Sequence, residues 1–281
     1  MSSSPCLTLL LLALGLGAGP ALGAGLELPP EHVVGPGDCG DCHEQEHEVW
    51  LATGHATGFG TLSRDEKARS IAAALGIRRV RRDPLCGSCH FTSAVVEETT
   101  KAIAGVACES CHGAGEEWID IHWDLGEAAD VESESAEHRK QRWASSEKAG
   151  MIRPSSPVDL IGRCYRCHVV DDQKLVDVGG HPQGARLDLV AATQGNIRHN
   201  FLRTGGLRND EAPIERQRLY RLLGPWLELE ATARALAAGP DEGAYRKGLL
   251  ERVAANRSAL KTLTSGVTLP SLDRALAALP A

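Results

Sequence analysis

Aromatic residues fill only 4% of this 281-residue chain, so a conventional core built on ring surface is undersupplied for the length. Methionine is scarcer still: beyond the initiator only Met151 occurs, in a charged, Ser-rich stretch. No apolar run approaches the ~20 residues of a membrane-spanning helix. The Leu-rich run from Leu7 to Leu16 is about half that length and leads into the small residues Ala21 to Gly25. It reads as a secretory leader over residues 1–23, cleaved after Gly23 or nearby, with a retained anchor as the alternative because Met1 to Pro5 lacks Lys and Arg. Cys6 precedes most of the run, whereas a lipoprotein cysteine would follow it. With 30 Lys and Arg against 37 Asp and Glu, the net charge of −7 argues against nucleic acid and anionic membranes as partners.

What the chain has instead is Cys-x-x-Cys-His, four times: Cys39/Cys42/His43, Cys86/Cys89/His90, Cys108/Cys111/His112 and Cys164/Cys167/His168. This is the c-type heme attachment pattern. Two thiols at this spacing reach the two vinyl groups of one porphyrin, and the adjacent His becomes the proximal iron ligand. Zinc knuckles and redox disulfides use the same Cys pair but need no fifth-position His. Four chance repeats of that His are not expected from 11 His in the whole chain. Of nine Cys, Cys6 falls in the leader, leaving two per motif and none for a disulfide framework. The cofactors read from the sequence are therefore four covalently bound heme c groups, whose flat apolar surface makes good the missing aromatics. Heme attachment outside the bacterial cytoplasm fits an exported, periplasmic mature chain without stable membrane insertion.

The expected fold is mainly α: a multiheme cytochrome c core of helices and loops wrapped around four hemes over residues 35–205, with a C-terminal helical subdomain over 206–281. The pattern Ser63-Arg-Asp-Glu66 predicts a capping box opening a helix that stops at Gly76. Arg78, Arg79, Arg81 and Arg82 precede the second motif and suit heme propionates, an acidic partner or plain solvation. Residues 126–157 are charged, Ser-rich and poor in large aliphatics, and predict an exposed, mobile excursion. After Thr204 there is neither Cys nor His. Helices are predicted there over Pro213–Leu223, Pro225–Ala238, Glu242–Thr262 and Ser271–Leu279, with Tyr245, Leu249, Val253 and Leu260 on one stripe. That stripe is expected to pack within the chain, the alternative being a partner-binding surface.

The group opposite each proximal His separates an electron carrier from a catalyst. Met151 is a poor candidate, which leaves His32, His47, His55, His122, His138, His181 and His199. His47 lies one helical turn from His43 and cannot reach over the same heme. His32 and His138 sit in a Pro-flanked arm and the charged excursion, where solvation is expected. His181, in Gly179-Gly180-His181-Pro182, has the setting of a turn, a ligand or a pocket wall.

Three local patterns resemble the tetraheme cytochrome c-554 family. They are the first motif followed by Trp50 and Gly54-His55-Ala56; Gly105-Val106-Ala-Cys108-Glu109-Ser-Cys111-His112-Gly113-Ala-Gly115 with His122 beyond it; and His199 after the fourth motif. The resemblance implies His55, His122 and His199 as distal ligands of the first, third and fourth hemes, in no assigned order. It also implies a five-coordinate second heme with His90 as its only protein ligand; His181, read from its own Gly-Gly-His-Pro turn, is the alternative that would close that heme or line its distal side. The function that follows is a periplasmic relay of electrons between redox proteins as donor and acceptor. Alternatives are reduction of nitric oxide at an open second heme, with His90 and His181 as candidate site residues, and a heme subunit of a larger redox complex docked through the C-terminal helices.

Overall fold

The computed structural model describes residues 28–184 and 186–279, so the expected leader at 1–23 lies outside the described residues. Short helices carry the first half of the chain. The first motif and His55 ride on α1 (Pro36–Gly40), α2 (Glu44–Leu51) and α3 (Gly54–Thr61). Thr53 opens α3 by accepting the Ala56 amide on its hydroxyl. α4 (Glu66–Ala74) begins after Asp65, whose carboxylate accepts the Ala68 amide at 2.8 Å. The expected cap at Ser63 is thus displaced by two residues: Ser63 sits in a separate 3-10 turn, and Asp65 brings a negative charge to the positive helix end.

α5 (Pro84–His90) holds the second motif, with Asp83 as its cap and Pro84 in its first turn. β1 (Thr92–Val96) and β2 (Thr99–Ala104) form an antiparallel hairpin turning at Glu97-Glu98, both left-handed at φ 52° and 61°. α6 (Cys108–His112) is the third motif and α7 (Ile119–Trp123) bears His122. The segment expected to be a mobile excursion contains α8 (Ala136–Lys148), capped by Ser135. Its apolar content is low, but Arg142 is buried and bonds Glu134 and the His122 carbonyl, so ionic bonds replace an apolar stripe as the reason for order. His138, expected to be solvated, is half-exposed and lies 2.9 Å from the same Glu134 carboxylate.

α9 (Pro157–His168) ends on the fourth motif, and α10 (Gln173–Asp177) and α11 (Leu189–Gln194) follow. The tail folds as α12 (Ile214–Ala238), α13 (Ala244–Leu263) and α14 (Pro270–Ala278). The two helices expected on either side of Pro225 are one, a correction to the sequence reading. Pro225 removes one helix bond, and burial of Tyr220, Gly224, Leu227 and Leu229 around it outweighs that loss. Gly224 faces Leu189 and the Tyr165 hydroxyl, where α12 packs against α11 and α9.

The largest apolar core joins tail to motif: Ile161, Tyr165 and Val169 pack with Tyr220, Leu227, Leu236, Leu249 and Val253. The predicted stripe Tyr245, Leu249, Val253 and Leu260 is at most 1% exposed. Elsewhere the described residues offer only a small cluster of Ala72, Val80 and Phe91. The first three motifs therefore surround space instead of a side-chain core.

Candidate heme-binding site

That space is a connected cavity of about 3000 Å³, against ~300–1,000 Å³ for a site holding one drug-sized ligand. All eight motif Cys and all four motif His line it. The second, third and fourth motifs lie on helices, and the first closes a single turn in which the His43 amide donates to the Cys39 carbonyl at 2.9 Å, so that in each the Cys, the second Cys three residues on and the His four residues on share one side. Among the described residues all eight Cys are free.

The four motif His each face one other His. Ring centres are 6.3 Å apart for His43 and His122, 6.4 Å for His55 and His168, 6.2 Å for His90 and His181, and 6.2 Å for His112 and His199. An iron held between two imidazoles by bonds of about 2.0 Å sets their centres roughly 6.3 Å apart. Interplanar angles of 28°, 69°, 55° and 85° are no obstacle, since two rings on one axis turn about it independently. The donor set and its spacing fit heme.

Orientation of the second His is also built in. Nδ1 of His181 lies 2.7 Å from the Pro182 carbonyl, that of His199 lies 2.8 Å from the Ile197 carbonyl, and that of His122 bonds the Ile119 carbonyl. A carbonyl only accepts, so Nδ1 carries the proton and Nε2 is left with its lone pair for a metal. His112 is fixed in the same way by the Ile152 carbonyl at 2.9 Å. Burial holds the imidazoles of His55, His90, His112, His122 and His168 below the ordinary histidine range, keeping them in the neutral form that ligates.

Residues far apart in sequence lock this arrangement. Trp50 Nε1 donates to the Val106 carbonyl at 2.8 Å, and the Val106 amide donates to the His55 carbonyl at 3.1 Å. A side chain at Gly105 would sit 2.0 Å from that same carbonyl, so glycine is required there. Glu109, between the Cys of the third motif and 1% exposed, accepts the amides of Val34 at 3.0 Å, Gly35 at 2.8 Å and Gly115 at 2.7 Å. The sequence analysis missed this clamp; the signal was an acid inside a motif otherwise closing on small residues.

His55, His122 and His199 thus each stand opposite a motif His of another segment. The expectation of His90 alone at the second motif meets a different arrangement, with His181 across from it at the same spacing as the other three. The remaining His have other partners: His32 binds Glu116 at 2.5 Å, His47 packs on Trp50 with ring centres 5.2 Å apart, and His138 binds Glu134. Of the basic run, Arg81 and Arg82 line the cavity, and Arg81 stacks 4.2 Å from the centre of the Phe59 ring.

No described helix is long and apolar enough to cross a membrane. Residues 38–113 match the family described as Cytochrome c554 and c-prime. Cytochrome c-554 of Nitrosomonas europaea is 23% identical over 139 residues, covering 47% of this chain and 55% of that protein, so the chain spans about half the length of this curated relative. No solved structure matches the chain. The attachment motifs, the matching segment and this relative together make the chain similar to cytochromes of the c-554 family.

Proposed function

We infer that the mature chain is a periplasmic c-type cytochrome that holds four hemes and relays electrons between redox proteins. The observation that supports this best is the set of four His–His pairs in one cavity lined by eight Cys. Bound heme supplies a one-electron iron couple, and ligation by two His favours a lower potential than His with Met.

The chain's own residues arrange the sites in series. Helix α1 of the first motif packs against α6 of the third, α6 against α9 of the fourth, and α9 against α5 of the second. The motifs therefore adjoin in the order first, third, fourth, second. Arg163, buried and lining the cavity beside Cys111 and Cys167, is of the type that pairs with propionate carboxylates, as are Arg81 and Arg82. Cys42, alone among the eight in being exposed, marks the first motif as the end most open to a redox partner.

The reading as a subunit docked through the C-terminal helices has less support, because the tail's apolar stripe is spent on α9 and its own helices. Intact mass of the matured protein tests the main reading: four heme additions and a chain starting near Ala24 are expected. Fewer than four additions in fully matured protein would refute it.

A further inference from the structure

We propose that His181 is the sixth ligand of the second heme, which closes the position that the family resemblance leaves open and removes it as a site for small nitrogen-oxide substrates. The inference rests on the four-heme reading and adds to it that no iron in this chain is open to exogenous ligands.

The first argument is equivalence. The His90–His181 spacing of 6.2 Å falls with the other three pairs, and His181 shares with His122 and His199 the Nδ1 bond to a backbone carbonyl that leaves Nε2 free. A surface His in a plain turn has no reason to meet both conditions. The second argument is construction. The His181 amide donates to the Leu175 carbonyl at 2.9 Å, Gly180 to Val176 at 3.1 Å and Gly179 to Lys174 at 3.0 Å, folding the chain back onto the end of α10. Gly180 is left-handed at φ +69°, a conformation glycine adopts without cost. A side chain on Gly179 would sit 2.9 Å from Leu75 Cδ1 and 3.2 Å from Ile71 Cγ2, so the turn is seated against α4. Both glycines thereby serve to carry one imidazole to His90. The third argument is exhaustion: His32, His47 and His138 have carboxylate or aromatic partners, and every His in the cavity other than His47 is matched one to one.

The test is electron paramagnetic resonance and carbon monoxide titration of the full-length matured protein and its His181→Ala variant. Wild type should show four low-spin ferric irons and bind no carbon monoxide when reduced. His181→Ala should gain one high-spin iron and bind one carbon monoxide per chain, and added imidazole should return that iron to low spin. A His32→Ala control, at a residue outside the cavity that pairs with Glu116, should match wild type, which separates ligand loss from general loosening. One high-spin iron in wild type with four hemes attached overturns the proposal while leaving the relay reading intact. A heme count below four overturns the relay reading itself.

Discussion

Arg252 ties the C-terminal helices to the segment that carries His181, and replacing it should cost more than any surface ion pair. Its guanidinium lies between α13 and α12, 4% exposed, and donates to Glu228, itself 3% exposed. The other terminal nitrogen donates to the carbonyls of Gln183 at 3.1 Å and Gly184 at 2.6 Å, only two and three residues beyond His181. In Arg252→Met the Glu228 carboxylate loses its partner in a buried place, for which the cost is about 3–5 kcal/mol. For a chain of this size that corresponds to a fall in Tm of roughly 6–20 °C. Arg252→Met combined with Glu228→Leu should recover most of the loss, since an apolar pair of similar volume needs no compensation. Thermal melts followed by far-UV circular dichroism measure this directly. A single variant that melts within a degree or two of wild type, or a double variant no better than the single, would refute the account of the pair as a buried joint. The same Arg252→Met protein should bind more carbon monoxide at the second site, because the loop that seats His181 has lost two of its anchors.

Glu109→Ala strands three amides of Val34, Gly35 and Gly115 at about 1 kcal/mol or more each, so the unfolding free energy from denaturant titration should drop by on the order of 3 kcal/mol. Limited proteolysis should then cut the arm around residues 28–35, which wild type protects; equal protection in both would count against the clamp. Glu134 gives a pH test. Its carboxyl is held well below the usual range, chiefly by Arg142. A depressed carboxyl contributes stability that is complete above its unfolded value of about 4.3 and is lost as the pH falls through the folded value. Wild type should therefore lose stability below about pH 4 more steeply than Glu134→Gln in melts across an acid series, and parallel curves would sink that assignment. Gly105→Ala should impair folding or heme retention, since its Cβ would strike the His55 carbonyl, and unchanged heme content with an unchanged melt would contradict the close approach.

Attachment chemistry was legible from residue identity alone. Cys-x-x-Cys-His is local: thiols and imidazole share one helical turn, so spacing in sequence is spacing in space. The Tyr245–Leu260 stripe was legible for the same reason, because a period near 3.6 puts those residues on one face wherever the helix lies. The helix across Pro225 was not, since a local breaking rule yielded to burial against α9 that no window of sequence contains. Order in α8 escaped composition in the same way, its support being the Arg142–Glu134–His122 bonds between separate segments.

The division runs through the site itself. Sequence by itself determined where the four attachment patterns lie, because each is written within five consecutive positions. Only the tertiary structure decided which His stands opposite which: His122 with His43, His55 with His168, His199 with His112 and His181 with His90. A ligand on the far face of a porphyrin must come from a different stretch of chain. Its identity is therefore fixed by how Trp50, Gly105, Glu109 and the Gly179-Gly180 turn dock those stretches together, and not by distance along the sequence.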